Sequence, residues 1–103
     1  MKAALIGIAA ASALMFVGNA QADAALATSS GCLNCHQVEV KTVGPALKAI
    51  AEKYAGQDGA SDYLAGQIKN GSNGVWGPIP MPPNAQVSDD NAKVLADFIL
   101  SLN

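Results

Sequence analysis

The run Cys32-Leu33-Asn34-Cys35-His36 is the feature that most constrains what this chain can fold into. It places two thiols in CxxC spacing on one turn of backbone, with a histidine directly after them. Such a run is the attachment signature of a covalently bound haem, because the two thiols can form thioether bonds to the two vinyl groups of one porphyrin. His36 is the only histidine of the chain and is then placed to ligate the iron. A small domain that carries this group has to wrap around it.

Three other interpretations of the cysteine pair remain open from the residues alone. A thioredoxin-like dithiol should follow a strand in a βαβ pattern, and no strand pattern precedes Gly31. A zinc site needs about four ligands, whereas the chain offers two Cys and one His. A structural disulfide would close only a very small loop. The haem interpretation is therefore favoured.

The N-terminal segment predicts a cleaved secretory signal peptide over residues 1–22. Lys2 supplies a positive charge, residues 3–17 form a nearly continuous apolar run, and Ala20-Gln21-Ala22 has small residues at the positions that precede cleavage. The run is about 15 residues long, shorter than the roughly 20 that span a bilayer. We expect cleavage after Ala22, a periplasmic domain over residues 23–103 and no stable membrane insertion.

Composition excludes one class of partner. The formal net charge is −2, with eight acidic residues against six lysines and no arginine. A nucleic-acid-binding domain presents a basic surface to the phosphate backbone, which this chain lacks. We therefore expect no nucleic-acid partner.

The spacing of apolar residues predicts an all-α domain of about four short helices. The predicted helices cover residues 23–30, 46–55 and 62–70, followed by a C-terminal helix that contains Val94, Phe98 and Leu102. Ser61 and Ser88 are predicted to be the N-caps of the last two helices, each with an acidic residue directly after it.

Residues 71–87 show no period and contain four closely spaced prolines. A stretch of about 17 residues without regular structure usually has a function or is disordered. Within it, Met81 either fills a gap in the core, as methionine often does, or is the second axial ligand of the iron. The flanking prolines stiffen this segment and favour the ligand role. A methionine ligand indicates electron transfer, whereas an open iron position would indicate gas binding or sensing.

Four segments together resemble a known family. CLNCH, VGPALK, KNGSNGVWGPIPMPPN and the SDD before the last helix are similar to the small bacterial class I cytochromes c of the c-551/c-552 type. The resemblance covers essentially all of residues 23–103. It implies four or five short helices around one haem c, with the first and last helices crossing.

The resemblance also implies a role for each matching residue. Cys32 and Cys35 would form the thioethers, and His36 and Met81 would be the axial ligands. The Pro45 carbonyl would accept the hydrogen bond of the His36 ring. Among the remaining matches, Trp76 would form a hydrogen bond to a haem propionate, and Asn84 would lie near Met81. The chain departs from the family at Gln67, where members can carry a basic residue that faces a propionate.

The function implied is that of a monomeric periplasmic one-electron carrier, not an enzyme. Its donor would be a cytochrome bc1-type complex or a quinol-oxidising enzyme, and its acceptor a nitrite reductase or a terminal oxidase. The alternative is a haem-based gas-binding or sensor protein, in which Met81 would be absent from the iron or easily displaced. A peroxidase is disfavoured because the chain has no second histidine and no arginine to assist O–O cleavage.

Overall fold

The structure is a computed structural model that describes residues 23–103. Helix α1 covers residues 23–29 and is followed by a 3₁₀ turn at Cys32–Asn34. Helices α2 (Leu47–Tyr54), α3 (Ala60–Asn70) and α4 (Asp89–Leu100) complete the element order. The predicted signal peptide, residues 1–22, lies outside the described residues.

The helices match the predicted all-α domain, with small differences at their ends. Helix α2 is one residue shorter at each end than the predicted 46–55, because Ala46 and Ala55 have the extended backbone of cap positions. Its buried residues Leu47, Ile50 and Tyr54 lie at the predicted spacing. The periodic pattern thus located the helix, and the backbone at its ends decided its length.

The prediction for the start of α3 was wrong, whereas that for α4 is confirmed. Helix α3 begins one residue before Ser61 and is preceded by Gly59, whose left-handed φ of 76° favours glycine. The Ser61 hydroxyl instead donates a hydrogen bond to the carboxylate of Asp97 on α4. At α4 the Ser88 hydroxyl accepts a hydrogen bond from the Asn91 N–H at 3.1 Å, as an N-cap should.

The helices share one apolar core. Leu47 of α2 and Leu95 of α4 are its largest fully buried side chains. Burying a leucine stabilises a fold by about 1.5–3 kcal/mol relative to leaving it exposed. The buried cluster includes residues of all four helices and one residue at the end of the loop before α4. It consists of Ala27, Leu47, Ile50, Tyr54, Ala60, Leu64, Ile68, Val87, Ala92, Leu95, Ala96 and Ile99.

The segment between α3 and α4, residues 71–87, is named here the methionine loop. It contains no helix or extended strand, as predicted, but it is closed by an antiparallel bridge between Ser72 and Met81. The two residues exchange backbone hydrogen bonds of 3.0 and 2.9 Å. Among residues 23–103, none of the helices is both long and apolar enough to cross a bilayer.

Candidate functional site

An apolar cleft runs between the CxxCH turn, helices α2 and α3, and the methionine loop. All seven residues that the sequence singled out contribute to its lining: Cys32, Cys35, His36, Pro45, Trp76, Met81 and Asn84. Its walls are otherwise mainly aliphatic and aromatic, including Leu47, Ile50 and Leu64. The fold therefore gathers the predicted site residues from separate segments of the chain into one cleft.

The cysteine turn is a short 3₁₀ helix that begins after Gly31. Gly31 has a left-handed φ of 81°, which lets the chain leave α1 sharply. The N–H groups of Cys35 and His36 both donate to the Cys32 carbonyl, at 3.3 and 3.0 Å. This compact turn brings both thiols and the imidazole to the cleft lining.

The two cysteines are free and half-buried. Burial raises the pKa of the Cys32 thiol above its ordinary value, and a backbone hydrogen bond offsets this only in part. A reactive dithiol needs the opposite, a lowered thiol pKa that populates the thiolate. Burial of Cys32 therefore does not favour the thiolate that a thioredoxin-like dithiol uses.

The His36 ring is positioned by two adjacent residues, Gly44 and Pro45. Its Nδ1 lies 2.7 Å from the Pro45 carbonyl oxygen, which can only accept, so Nδ1 carries the proton and donates it. In the neutral form of the ring, Nε2 then carries the lone pair that can bind a metal. Gly44 also lies against the ring, since a Cβ added at Gly44 would sit 2.6 Å from the ring Cε1.

The segment between His36 and Pro45 folds back on the cysteine turn. The Cys35 carbonyl accepts two hydrogen bonds of 2.7 Å, one from the Gly44 N–H and one from the Thr42 hydroxyl. The sequence did not identify Thr42, because a threonine in a non-periodic loop carries no signal of the carbonyl it will meet. Gly44 belongs to the VGPALK segment, but the sequence does not predict its contact with the ring, which depends on the fold.

Met81 reaches the cleft from the methionine loop, which is distant in sequence from the cysteine turn. The backbone of Met81 is paired with that of Ser72. Gly71, directly before Ser72, has a φ of 80° that favours glycine. A Cβ at Gly71 would lie 2.6 Å from the Met81 carbonyl oxygen, so the close approach also requires the missing side chain. Met81 itself is partly buried and packs against the core.

Asn84 attaches the methionine loop to helix α3. Its backbone N–H and its side-chain Nδ2 both donate to the Ile68 carbonyl, at 3.0 and 3.1 Å. At the far end of the loop the Lys69 ammonium donates to the Val87 carbonyl at 2.5 Å. These contacts set the position of the loop that carries Met81.

The methionine loop also places Trp76 on the cleft, where 37% of the residue is exposed. The Lys53 ammonium lies 4.7 Å from the centre of the Trp76 ring. Gln67 of α3 lines the same cleft. The sequence identified Trp76 and Gln67 only through the family resemblance, and it did not identify Lys53.

These residues fit a covalently attached haem. The cleft offers two thiols on one turn, a histidine nitrogen with a free lone pair, a thioether, and apolar walls for a porphyrin. Within residues 23–103 there is no group of three or more His, Cys, Asp or Glu side chains suited to a metal ion, whereas a zinc site needs about four ligands. Fold and site together define a small helical protein of the c-type haem class.

Comparison with known proteins agrees with this class. The sequence model of the family described as Cytochrome c matches residues 20–103. Cytochrome c-552 of Nitrosomonas europaea is 65% identical over 102 residues, which cover 99% of each chain. Cytochrome c-551 of Pseudomonas aeruginosa is 52% identical over 99 residues, covering 95% of this chain and 94% of the relative.

A solved structure gives the same result. The crystal structure of wild-type Nitrosomonas europaea cytochrome c552 aligns with a TM-score of 0.76 at 65% identity, covering 78% of this chain and 99% of that one. The chain therefore belongs to the cytochrome c family, among the small class I cytochromes of the c-551/c-552 type. It carries one covalently attached haem c and is an electron-transfer protein rather than an enzyme. The gas-binding alternative is not favoured.

Proposed function

We propose that this cytochrome is a periplasmic one-electron carrier whose haem is attached through Cys32 and Cys35 and whose iron is held between His36 and Met81. The observation that carries the proposal is the arrangement of the cleft. His36 and Met81, from distant segments, line one apolar cleft beside the two thiols. The hydrogen bond from Nδ1 to Pro45 leaves the other ring nitrogen free for the metal.

Each of these residues has a distinct task. When bound, haem c supplies an iron that exchanges one electron between Fe(III) and Fe(II). The Pro45 carbonyl orients the His36 ring and raises its basicity as a ligand. The Met81 thioether raises the reduction potential relative to ligation by two nitrogens.

The loops support the same coordination in both redox states. The Ser72 bridge and the Asn84 hydrogen bonds hold the methionine loop. Gly44 and Thr42 hold the histidine segment through the Cys35 carbonyl. Ligands that stay in place when the iron changes charge keep the reorganisation small, which favours rapid electron transfer. Trp76 and Asn84 supply polar groups at the cleft for the haem propionates and the methionine segment.

Replacing Met81 by alanine tests the ligand assignment. We expect the mutant to keep its haem but to lose the sulfur-to-iron charge-transfer band, with a large fall in reduction potential. Ile79→Ala is the matched control, because it truncates an exposed side chain of the same loop without removing a ligand. An unchanged spectrum in Met81→Ala would overturn the assignment.

The redox partners are proposed to meet an exposed apolar patch at the cleft mouth, formed by Val43, Pro78, Ile79 and Pro80. Val43 is 53% and Ile79 61% exposed, and all four residues line the cleft. Transient electron-transfer interfaces are small, so a patch of this size suits a monomeric carrier. The donor class is a cytochrome bc1-type complex or quinol-oxidising enzyme, and the acceptor class a nitrite reductase or terminal oxidase.

An added charge tests this patch. Ile79→Glu should slow electron exchange with a purified acceptor of these classes without changing the absorption spectrum. Val94→Glu is the control, since Val94 is an exposed apolar residue of α4 that does not line the cleft. Equal rates in the two variants would contradict the docking role.

The periplasmic location is tested separately by recovering the protein from the periplasmic fraction and sequencing its N-terminus. We expect the mature chain to begin at Asp23, directly after the predicted cleavage site. A chain that retains the apolar segment and stays with the membrane fraction would contradict the proposal.

A further inference from the structure

Lys53, at the end of α2, lies against two aromatic rings. Its ammonium is 4.7 Å from the centre of the Trp76 ring and 5.8 Å from that of Tyr54. Tyr54 in turn packs on Tyr63 of α3, with ring centres 5.5 Å apart. Tyr54, Tyr63 and Trp76, named here the aromatic cluster, all line the cleft, and Lys53 stacks on it from outside.

The charge of Lys53 is not neutralised by an acidic partner. Among the ion pairs of residues 23–103, Lys48 pairs with Glu39, Lys69 with Asp89, and Lys93 with Asp62. Lys53 forms no such pair in this part of the chain and contacts aromatic faces instead. A cation over an indole ring is attracted by the ring quadrupole yet keeps its full positive charge.

The aromatic cluster brings polar groups to the cleft lining. A haem is an apolar macrocycle with two carboxylates, and buried carboxylates require hydrogen-bond donors or cations. The cluster offers two phenolic hydroxyls and one indole N–H, and Gln67 lies one helical turn beyond Tyr63. Gln67 is neutral, so this position contributes no cation. Lys41, the lysine in the lining, belongs to the segment that folds back on Cys35.

We infer that Lys53 sets the reduction potential of this cytochrome, by holding Trp76 at the cleft rim and by placing a positive charge beside the haem carboxylates. The inference rests on the proposed function. In this chain Lys53 would take the part that a basic residue at position 67 could otherwise take. Lys53 is thus a positioning and charge-supplying residue, not a ligand.

The sign of the effect follows from charge. Reduction of Fe(III) to Fe(II) adds one negative charge to the site, so a nearby cation favours the reduced state and raises the potential. Neutralising Lys53 should lower the equilibrium constant for reduction about threefold, which corresponds to about 30 mV for a one-electron couple. The shift should shrink as ionic strength rises, because Lys53 is exposed and salt screens its field.

The test measures the reduction potential of the purified haem-loaded protein at fixed pH and two salt concentrations. Lys53→Met and Lys53→Gln remove the charge, whereas Lys53→Arg keeps a cation that can stack on the same ring. Lys48→Met is the matched control, since it removes an equal charge from the same helix at a residue that does not contact the cluster. We expect the equilibrium constant for reduction to fall about threefold in both neutral variants and to stay near the wild-type value in Lys53→Arg. In Lys48→Met it should change by less than half as much.

Two results would overturn the inference while leaving the proposed function intact. One is an unchanged potential in both neutral variants. The other is an equal shift in Lys53→Met and Lys48→Met, which would reduce the effect to net charge alone. The absorption spectrum of the wild-type protein tests the proposed function independently of Lys53. A wild-type spectrum without methionine ligation would overturn the proposed function, and the inference with it.

Discussion

Replacing Gly44 by alanine tests how closely the histidine segment is packed. The added Cβ would lie 2.6 Å from the His36 Cε1 and 2.9 Å from Nδ1, whereas ordinary contact begins at 3.4 Å. The ring would therefore have to move until its Cε1 lies about 0.8 Å farther from the added Cβ. Gly44 does not have a positive φ, so the change adds no backbone strain and isolates this contact.

Displacing the ring lowers the free energy of unfolding in two ways. Forcing an extra methyl group into a packed site costs about 1–3 kcal/mol. Moving the ring also stretches the 2.7 Å bond from Nδ1 to Pro45, and losing such a hydrogen bond costs about 1 kcal/mol. We therefore expect Gly44→Ala to lower the free energy of unfolding by about 2–4 kcal/mol.

Guanidinium unfolding of the haem-loaded protein, followed by haem absorption, measures this loss, and NMR of the His36 Nδ1 proton reports the hydrogen bond directly. Gly66→Ala is the matched control. Gly66 lies inside α3 with no atom within 4 Å of an added Cβ, so alanine there should stabilise the helix by about 0.5–1 kcal/mol. If Gly44→Ala unfolded at the wild-type denaturant concentration with an unshifted Nδ1 proton, the packing argument would be refuted.

Four further changes have expected outcomes. Gly71→Ala forces a side chain into a glycine-only conformation and against the methionine loop, so it should cost about 1–3 kcal/mol and speed cyanide binding to the ferric protein; an unchanged rate would count against the role of this turn. Ser88→Ala removes the N-cap of α4 and should lower the unfolding free energy by about 0.5–2 kcal/mol, whereas Ser88→Asp should retain it. Leu95→Ala opens the fully buried core and should cost about 2–5 kcal/mol in denaturant titration. The hydrogen bond to Asp62 raises the pKa of Lys93 above its usual 10.5. The difference in unfolding free energy between wild type and Lys93→Met should therefore stay constant through neutral pH and disappear only as the pH rises past this raised pKa. A loss of the difference near pH 8 would contradict this prediction.

The helices were largely predictable because their apolar residues repeat at the helical period. Leu47, Ile50 and Tyr54 of α2 are buried as the pattern indicated. The N-cap of α4 was also predictable, since a serine before two aspartates is a local signal. The start of α3 was not, because Ser61 has the same local signature but its hydroxyl is bonded to Asp97 on another helix. A local rule fails where a distant partner competes for the same group.

The candidate site divides in the same way. The cysteine turn and His36 are adjacent in the chain, so their chemistry could be predicted from their spacing alone. The roles assigned to Pro45, Trp76 and Asn84 depended on the family resemblance, and the structure places all three on the cleft. That placement supports the assignments, which stay predictions until the variants are measured.

The sequence by itself determined that this chain presents a haem-attachment turn, helical segments of defined period and a proline-rich loop with one methionine. Each of these is a local property, set by neighbouring residues. Only the tertiary structure decided that Met81 and His36 line one cleft, that Gly44 lies against the histidine ring, and that Lys53 stacks on Trp76. These contacts join residues far apart in the chain, and they exist only because packing of α2 and α3 with α4 brings the loops between them together.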